Sequence, residues 1–398
     1  MVLQEIKVPH RGTYDFGLGV DGLSGTAMNL VVAPTVSTSH SQGADQSFSV
    51  ARVEKTEDLL EKLGVDIDAS YGSACFGAGV SARFSYAQEK KVHASSLFMT
   101  ITSTLHFAEQ NIRECVLTPT AAQQVGNPKI FAGRYGDRFI RTCQRGGLFV
   151  GFLGIETFDE SQAMEINAEL SGTYGLFSAD AKANFSNIAK KHKVSISCDV
   201  YTEGGPHIEL HDITNPTELL ELANTWMRET FNDPDKYAKP YQWTLSPISI
   251  AEAPLPPNQA DIEHAQDVLA YCAHQRATML DQLNQLDWWS THQEKYDWTG
   301  AATLAQIADC ARSTQMDLDT VAACASIAIN HPEQAKMPAD YAAAQVPPRK
   351  YPSSQPLPVG PKPKPGEQVQ QGHLLPPLSS LKLSDPMNYK YIKLPDNQ

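Results

Sequence analysis

Residues 71–85 read YGSACFGAGVSARFS, and about 100 residues later residues 174–186 read YGLFSADAKANFS. Aligned from the phenylalanine, Phe76, Ala78, Ala82, Phe84 and Ser85 match Phe177, Ala179, Ala183, Phe185 and Ser186. Both copies alternate. Phe76, Ala78, Val80, Ala82, Phe84 and Tyr86 are apolar, and Gly77, Gly79, Ser81, Arg83 and Ser85 between them are small or polar. In the second copy Phe177, Ala179, Ala181, Ala183 and Phe185 alternate with Ser178, Asp180, Lys182, Asn184 and Ser186. A period of two places one set on each face of a β-strand. Such a strand fits a half-buried position in an ordinary antiparallel sheet. It also fits the wall of a membrane barrel, with lipid on one face and water on the other. The apolar set is mostly alanine, which makes a poor sheet core and is tolerated in a helix. A segment that is helical in one state and a strand in another would carry this pattern.

The rest of the chain bounds the possibilities. Its 398 residues allow two or three domains, and 41% hydrophobic with 19% charged residues is a globular composition. No run of about 18 apolar residues occurs, so no transmembrane helix is expected. The start, MVLQEIKVPHRGTYDFG, has no continuous apolar segment of the kind a cleaved signal peptide carries. A formal charge of −13 argues against nucleic acid and against unaided binding to an anionic membrane. Seven scattered cysteines are odd in number and contain no CxxC pair, which argues against a disulfide framework or a zinc site.

Short β-prone runs cover residues 28–33 and 47–53, and residues 56–63 suggest a turn or two of helix. Residues 96–107 alternate and suit either the return strand of a hairpin or a core strand. Residues 147–157 form an apolar strand candidate, and residues 194–200 alternate cleanly. Past the proline-rich break at 253–257 the spacing becomes helical. Ile262, Ala265, Val268, Leu269, Cys272, Met279, Leu283 and Leu286 form one stripe. Residues 301–311 and 318–329 read as two further helices. Twelve prolines among the last 53 residues predict an irregular tail, with Tyr389, Tyr391, Ile392 and Leu394 as apolar handles.

Between the two copies, residues 135–147 read YGDRFIRTCQRGG. This resembles the signature of the membrane attack complex/perforin (MACPF) family: Tyr or Trp, Gly, Thr or Ser, His, an aromatic, six residues, then Gly-Gly. Tyr135, Gly136, Phe139, Gly146 and Gly147 match, while Asp137 and Arg138 depart from the usual Thr-His pair. Gly204-Gly205 after the run 194–201, and Trp226 followed by the proline-containing stretch 243–248, match further family features. The resemblance covers roughly residues 1–255. It implies an α+β fold, with a bent central antiparallel sheet flanked by two helical clusters. A helical accessory region (256–345) and a proline-rich tail (346–398) would follow. It also implies a pore-forming protein that is soluble before assembly. Two clusters, around 65–107 and 160–195, would unfurl into transmembrane hairpins in a homo-oligomeric ring. Phe76, Ala78, Val80, Ala82, Phe84, Phe177, Ala179, Ala181, Ala183 and Phe185 would then face lipid. The partners implied are a membrane lipid or surface receptor, with recognition supplied by residues 256–398 or by a separate protein. The alternative from another class is a non-lytic binding or structural protein of the same fold. Gly146-Gly147 would either bend the sheet or form an ordinary tight turn.

Enzyme readings are weaker. Gly17, Gly19 and Gly22 spell GxGxxG, but no βαβ pattern surrounds them. His207, Glu209, His211 and Asp212 suggest a solvated loop more than a metal site. No nucleophile elbow, P-loop or Cys-His pair stands out, so neither an enzyme nor a cofactor is expected, and a hydrolase is the weakest alternative. Trp288, Trp289 and Trp298, with Tyr271 and Tyr296, form an aromatic group. It suits helix-end packing, or a membrane or partner contact.

Overall fold

The computed structural model describes residues 5–38, 44–68, 75–76, 82–157, 160–172, 187, 190–192, 194–208, 216–353 and 358–364. Its strands are β1 (Ile6–Pro9), β2 (Leu18–Val20), β3 (Ala27–Leu30), β4 (Val36–Thr38), β5 (Asp45–Val53), β6 (Ser96–His106), β7 (Gln110–Ile112), β8 (Arg138–Glu156), β9 (Ile196–Glu203) and β10 (Lys239–Pro247). These ten form one sheet. The helices that matter are α1 (Thr56–Lys62), α2 (Ala82–Glu89), α3 (Pro128–Tyr135), α4 (Glu160–Gly172), α5 (Pro216–Asn232), α6 (Gln259–Thr291) and α7 (Leu304–Asn330).

The 19-residue β8 is the spine. Its first half pairs with β10 on one side, from Arg138↔Pro247 to Gly146↔Lys239, and with β2 and β7 on the other. Its second half pairs with β6, from Gly146↔His106 to Glu156↔Ser96, and with β9, from Leu148↔Glu203 to Ile155↔Ile196. β5 then pairs along β6. The result is an upper sheet in the order β5-β6-β8-β9, joined through β8 to a lower one.

Helices cover both faces of the upper sheet. Leu148, Val150 and Phe152 point to one face and pack with Leu59, Leu60, Leu63, Phe84 and Ala87 of the first cluster and with α6 and α7. Leu153 and Ile155 point to the other, against Ala163 and Ile166 of α4, and Phe149 meets Leu219, Ala223 and Trp226 of α5. A strand buried on both faces needs no polar residues, so residues 147–155 read as a continuous apolar run. The edge strand β9 is half-buried and does alternate. Residues 96–106 are a core strand of the sheet, so the first cluster ends before Ser96.

Two expectations change here. The stretches at 301–311 and 318–329 are one helix, α7, opened by a Thr303–Gln306 capping box. Polar residues at 312–317 do not break it: Arg312 and Gln315 are exposed, the buried Thr314 hydroxyl donates to the Cys310 carbonyl, and the buried Asp317 accepts from Ser353. Gly146-Gly147 lies mid-strand in β8 and is no tight turn. Of the tail, residues 358–364 include Lys362–Pro363, which pairs with Tyr296–Asp297. Tyr389, Tyr391, Ile392 and Leu394 fall outside the described residues. Among the described residues, no helix is long and apolar enough to cross a membrane.

Candidate functional site

The signature residues form a joint in the lower sheet. Asn127 caps α3 by accepting a hydrogen bond from the Ile130 amide at 3.2 Å. Gly136 ends α3 with φ +76°, and a side chain there would sit 2.1 Å from the Val20 carbonyl oxygen. A side chain on Gly19 would sit 2.0 Å from the Tyr135 carbonyl oxygen. The two backbones therefore touch where they cross, and the GxGxxG spacing at 17–22 serves packing. Tyr135 and Phe139 are buried beside Phe131. Asp137 and Arg138, which replace the usual Thr-His pair, are a buried ion pair at 3.5 Å. Asp137 also accepts from the Gly22 amide at 2.7 Å. Burial pushes the Asp137 carboxyl up, opposed by Arg138 and by the Gly22 amide.

The second Gly-Gly signal lies where β8 changes partners. Gly146 has φ +154°, and a Cβ there would meet the Leu105 carbonyl oxygen at 1.8 Å. The Trp226 ring fills the space beside Gly147 and Gly205; Cβ atoms there would lie 2.7 and 1.9 Å from it. Its indole Nε1 donates to the Gly204 carbonyl at 3.2 Å. The two glycine pairs and Trp226 meet where β8 changes partners.

The end of the first copy, residues 82–85, docks beside this point as the start of helix α2. In α2, Arg83, Phe84 and Ala87 are buried while Ala82 and Ser85 are exposed, a helical period. Arg83, which strand alternation puts on the wet face, is 1% exposed. Its Nε donates to Glu203 Oε1 at 2.8 Å, and its Nη2 pairs with Glu203 Oε2. Its guanidinium also donates to the carbonyls of Leu63 at 3.0 Å and Tyr241 at 2.8 Å. Burial alone would lower the Arg83 pKa, but the Glu203 bonds outweigh it and hold the charge more firmly than usual. Tyr201 adds a hydroxyl to Glu203 at 2.5 Å. At the other end of α2, Lys90 pairs with Asp199 of β9. Phe76 is buried, and Phe84 lies under the Arg276 guanidinium at 4.5 Å. Ala78 and Val80 lie outside the described residues, as do Phe177, Ala179, Ala181, Ala183 and Phe185.

Both clusters leave the same end of the upper sheet. The first joins the end of β5 to the start of β6, and Val53 pairs with Phe98. The second joins the end of β8 to the start of β9, where Ile155 pairs with Ile196. Its α4 bears Glu165 and Glu169, which come within 4.8 Å of His192. Lys191 pairs with both carboxylates and already supplies the positive charge there.

The aromatic group divides. Trp288 is buried, donates to the Tyr296 hydroxyl at 2.8 Å and stacks on His93 and His292. Trp289 packs on Gly360 and the Ile307 cluster. Trp298 lines an open groove with Tyr296 and Lys364. His207 is exposed, whereas Glu209, His211 and Asp212 lie outside the described residues. Burial pushes the thiols of Cys75, Cys143, Cys198 and Cys272 up to about 12, far from a reactive thiolate.

The described architecture is an antiparallel sheet with two helical insertions at one end, the arrangement that the resemblance of residues 135–147 implies. Among solved structures, the chain is similar to stonustoxin, at 12% identity and a TM-score of 0.47, over 82% of this chain and 42% of that one. It is also similar to GNIP1Aa from Chromobacterium piscinae, at 14% identity and a TM-score of 0.33, over 65% of this chain and 54% of the other. A third is a cell invasion protein with a MAC/Perforin domain from Bacteroides thetaiotaomicron, at 14% identity and a TM-score of 0.30, over 62% and 61%. The chain thus spans less than two thirds of each of these. No protein family description and no curated relative matches it.

Proposed function

We propose that this chain is a pore-forming protein. It binds a target membrane, assembles head to tail into a ring, and converts residues 54–95 and 157–195 into membrane-spanning hairpins. The observation that carries the reading is the placement of both stretches. Each is an insertion between two already paired, antiparallel strands, at one end of one sheet. Extending β5 with β6, and β8 with β9, continues existing ladders without breaking a pair. Each stretch supplies about 20 residues per arm, against the roughly 9–11 that a tilted strand needs to cross a bilayer.

Four strands cannot close a barrel, and open edges in lipid leave backbone groups unpaired at several kcal/mol each. Among the described residues, β5 pairs only with β6 and β9 only with β8, so a free edge lies on each side. Joining the β9 edge of one copy to the β5 edge of the next, with rotational closure, removes every edge. The activity is mechanical and needs no catalytic centre or cofactor. The partner is a lipid or surface receptor on another cell, met after release from the producing cell.

The test is dye release from liposomes of several compositions, with electron microscopy of the same samples. Leakage that coincides with rings is expected. Binding without leakage or rings under every composition would replace this reading with the non-lytic one.

A further inference from the structure

Residues 54–95 are held from outside the sheet by polar contacts from a helix of the C-terminal region, α6. Along one stretch of α6, side chains reach successive points of that segment. His274 bonds Glu57 at 2.8 Å and Asp68 at 2.9 Å. Arg276 donates to the Cys75 carbonyl at 2.7 Å and lies over the rings of Phe76 and Phe84. Asp281 accepts from the Thr56 amide at 2.9 Å and from its hydroxyl at 2.5 Å. Asn284 donates to the Val92 carbonyl at 3.1 Å, and Gln285 exchanges two bonds with Ser95, at 2.8 and 3.2 Å. Asp287 pairs with Lys91 at 3.0 Å, and Trp288 stacks on His93 at 4.7 Å.

From His274 to Trp288 is about 21 Å of helix at 1.5 Å per residue. The contacts touch the start, middle and end of the segment. They are polar and directional, so they fix one arrangement in a way that apolar packing alone does not. α6 is itself anchored. Val268, Cys272 and Leu280 pack in one core with Val321, Cys324 and Ala328 of α7. Asp317 of α7 accepts two bonds from Ser353 of the tail, at 2.7 and 2.9 Å.

We propose that α6 is an autoinhibitory clasp, and that residues 54–95 can leave the sheet only after α6 swings away from them. This rests on the pore-forming reading above. It gives the region after residue 255 a second role: whatever displaces α6 triggers conversion.

The test uses the full chain. Hydrogen–deuterium exchange is followed in the wild type and in His274→Ala/Arg276→Met. His274→Ala alone serves if the pair fails to fold. Loss of these bonds should speed exchange at residues 56–62 and 82–89 by about tenfold or more, leaving residues 138–156 unchanged. Unchanged exchange at 56–62 and 82–89, or acceleration that is uniform across the sheet, overturns the clasp. A second arm joins Lys91→Cys and Asp287→Cys, both exposed positions, with a short bismaleimide and measures dye release. Where the wild type leaks, the joined form should leak at least tenfold more slowly, and equal leakage overturns the clasp. A wild type that never leaks, with selective exchange in the variant, sinks the pore reading and upholds the clasp.

Discussion

Replacing Arg83 by alanine tests whether residues 82–85, the end of the first repeat, form a docked helix or part of an amphipathic strand. On the wet face of a strand, an exposed arginine contributes within about 0.5 kcal/mol. In the structure its side chain is 1% exposed and that of Glu203 23%. Arg83→Ala leaves Glu203 with the Tyr201 hydroxyl, strips the Leu63 carbonyl of its donor, and leaves the Tyr241 carbonyl with the His10 amide. Each buried acceptor so orphaned costs about 1–3 kcal/mol, and breaking a buried pair from one side costs about 3–5 kcal/mol in all. These figures overlap, and partial solvation of Glu203 trims the total, so the expected loss is about 3 kcal/mol. Urea unfolding followed by circular dichroism measures it. A cycle with Glu203→Gln should give a coupling of about 1–3 kcal/mol. A loss below about 1 kcal/mol, or strict additivity with Glu203→Gln, would refute the docking argument.

Further expectations follow from the same geometry. Gly205→Ala places a methyl 1.9 Å from the Trp226 indole at φ +75°, and should lower the melting temperature sharply, whereas Gly133→Ala, with open space around it, should not. Ala82→Arg sits at an exposed helix position, so the monomer should melt as the wild type does. The same charge at mid-bilayer costs roughly 2–4 kcal/mol and should abolish dye release. Trp288→Ala should cost about 3–5 kcal/mol by lost packing, read by urea unfolding, while Trp298→Ala should change stability little. Burial, with His292 beside it, lowers the His93 pKa to about 3. The unfolded chain then takes up a proton below about 6.5 that the folded one refuses. Stability should therefore fall with acid, by up to about 2 kcal/mol between pH 6.5 and 5, and His93→Phe should flatten that slope. His274 acts in the opposite sense. Bonding to Asp68 raises its pKa against the pull of burial, with Glu57 adding to the rise. Its contribution is full below about 6.5 and is lost as pH climbs through the raised value. His274→Ala should thus lower stability more at pH 5.5 than at pH 8.5.

Much of the fold was legible because strand burial writes itself into residue type. The apolar run at 147–157 and the alternation at 194–200 marked two strands, and the sheet then put the first at its centre and the second at an edge. The signature glycines were legible because only glycine fits where Val20 and Tyr135, or Leu105 and Gly146, bring backbones together. The site was less so. Arg83 is the clearest miss, since its neighbours alternate as a strand would and no local signal marks a buried cation. Its partner, Glu203, is 120 residues away. The stripe on α6 announced a helix but not what its polar residues grip, and the partners of His274, Arg276 and Asp281 lie some 200 residues earlier.

The sequence by itself determined the local conformational menu. It placed the duplicated segments on either side of a glycine-marked strand, left those segments able to serve as helix or strand, and set a helical region after residue 255. Alternation, helical spacing and glycine are properties of near neighbours, so they survive in one dimension. Only the tertiary structure decided that residues 82–85 of the first segment are helical, that Arg83 and Phe84 are inside, and that α6 lies along them. Those outcomes depend on ion pairs, hydrogen bonds and packing between residues far apart in the chain. In a sheet extended by a hairpin, Ala82 and Phe84 would share a face. In α2, a step of 100° per residue sends one to solvent and the other to the core.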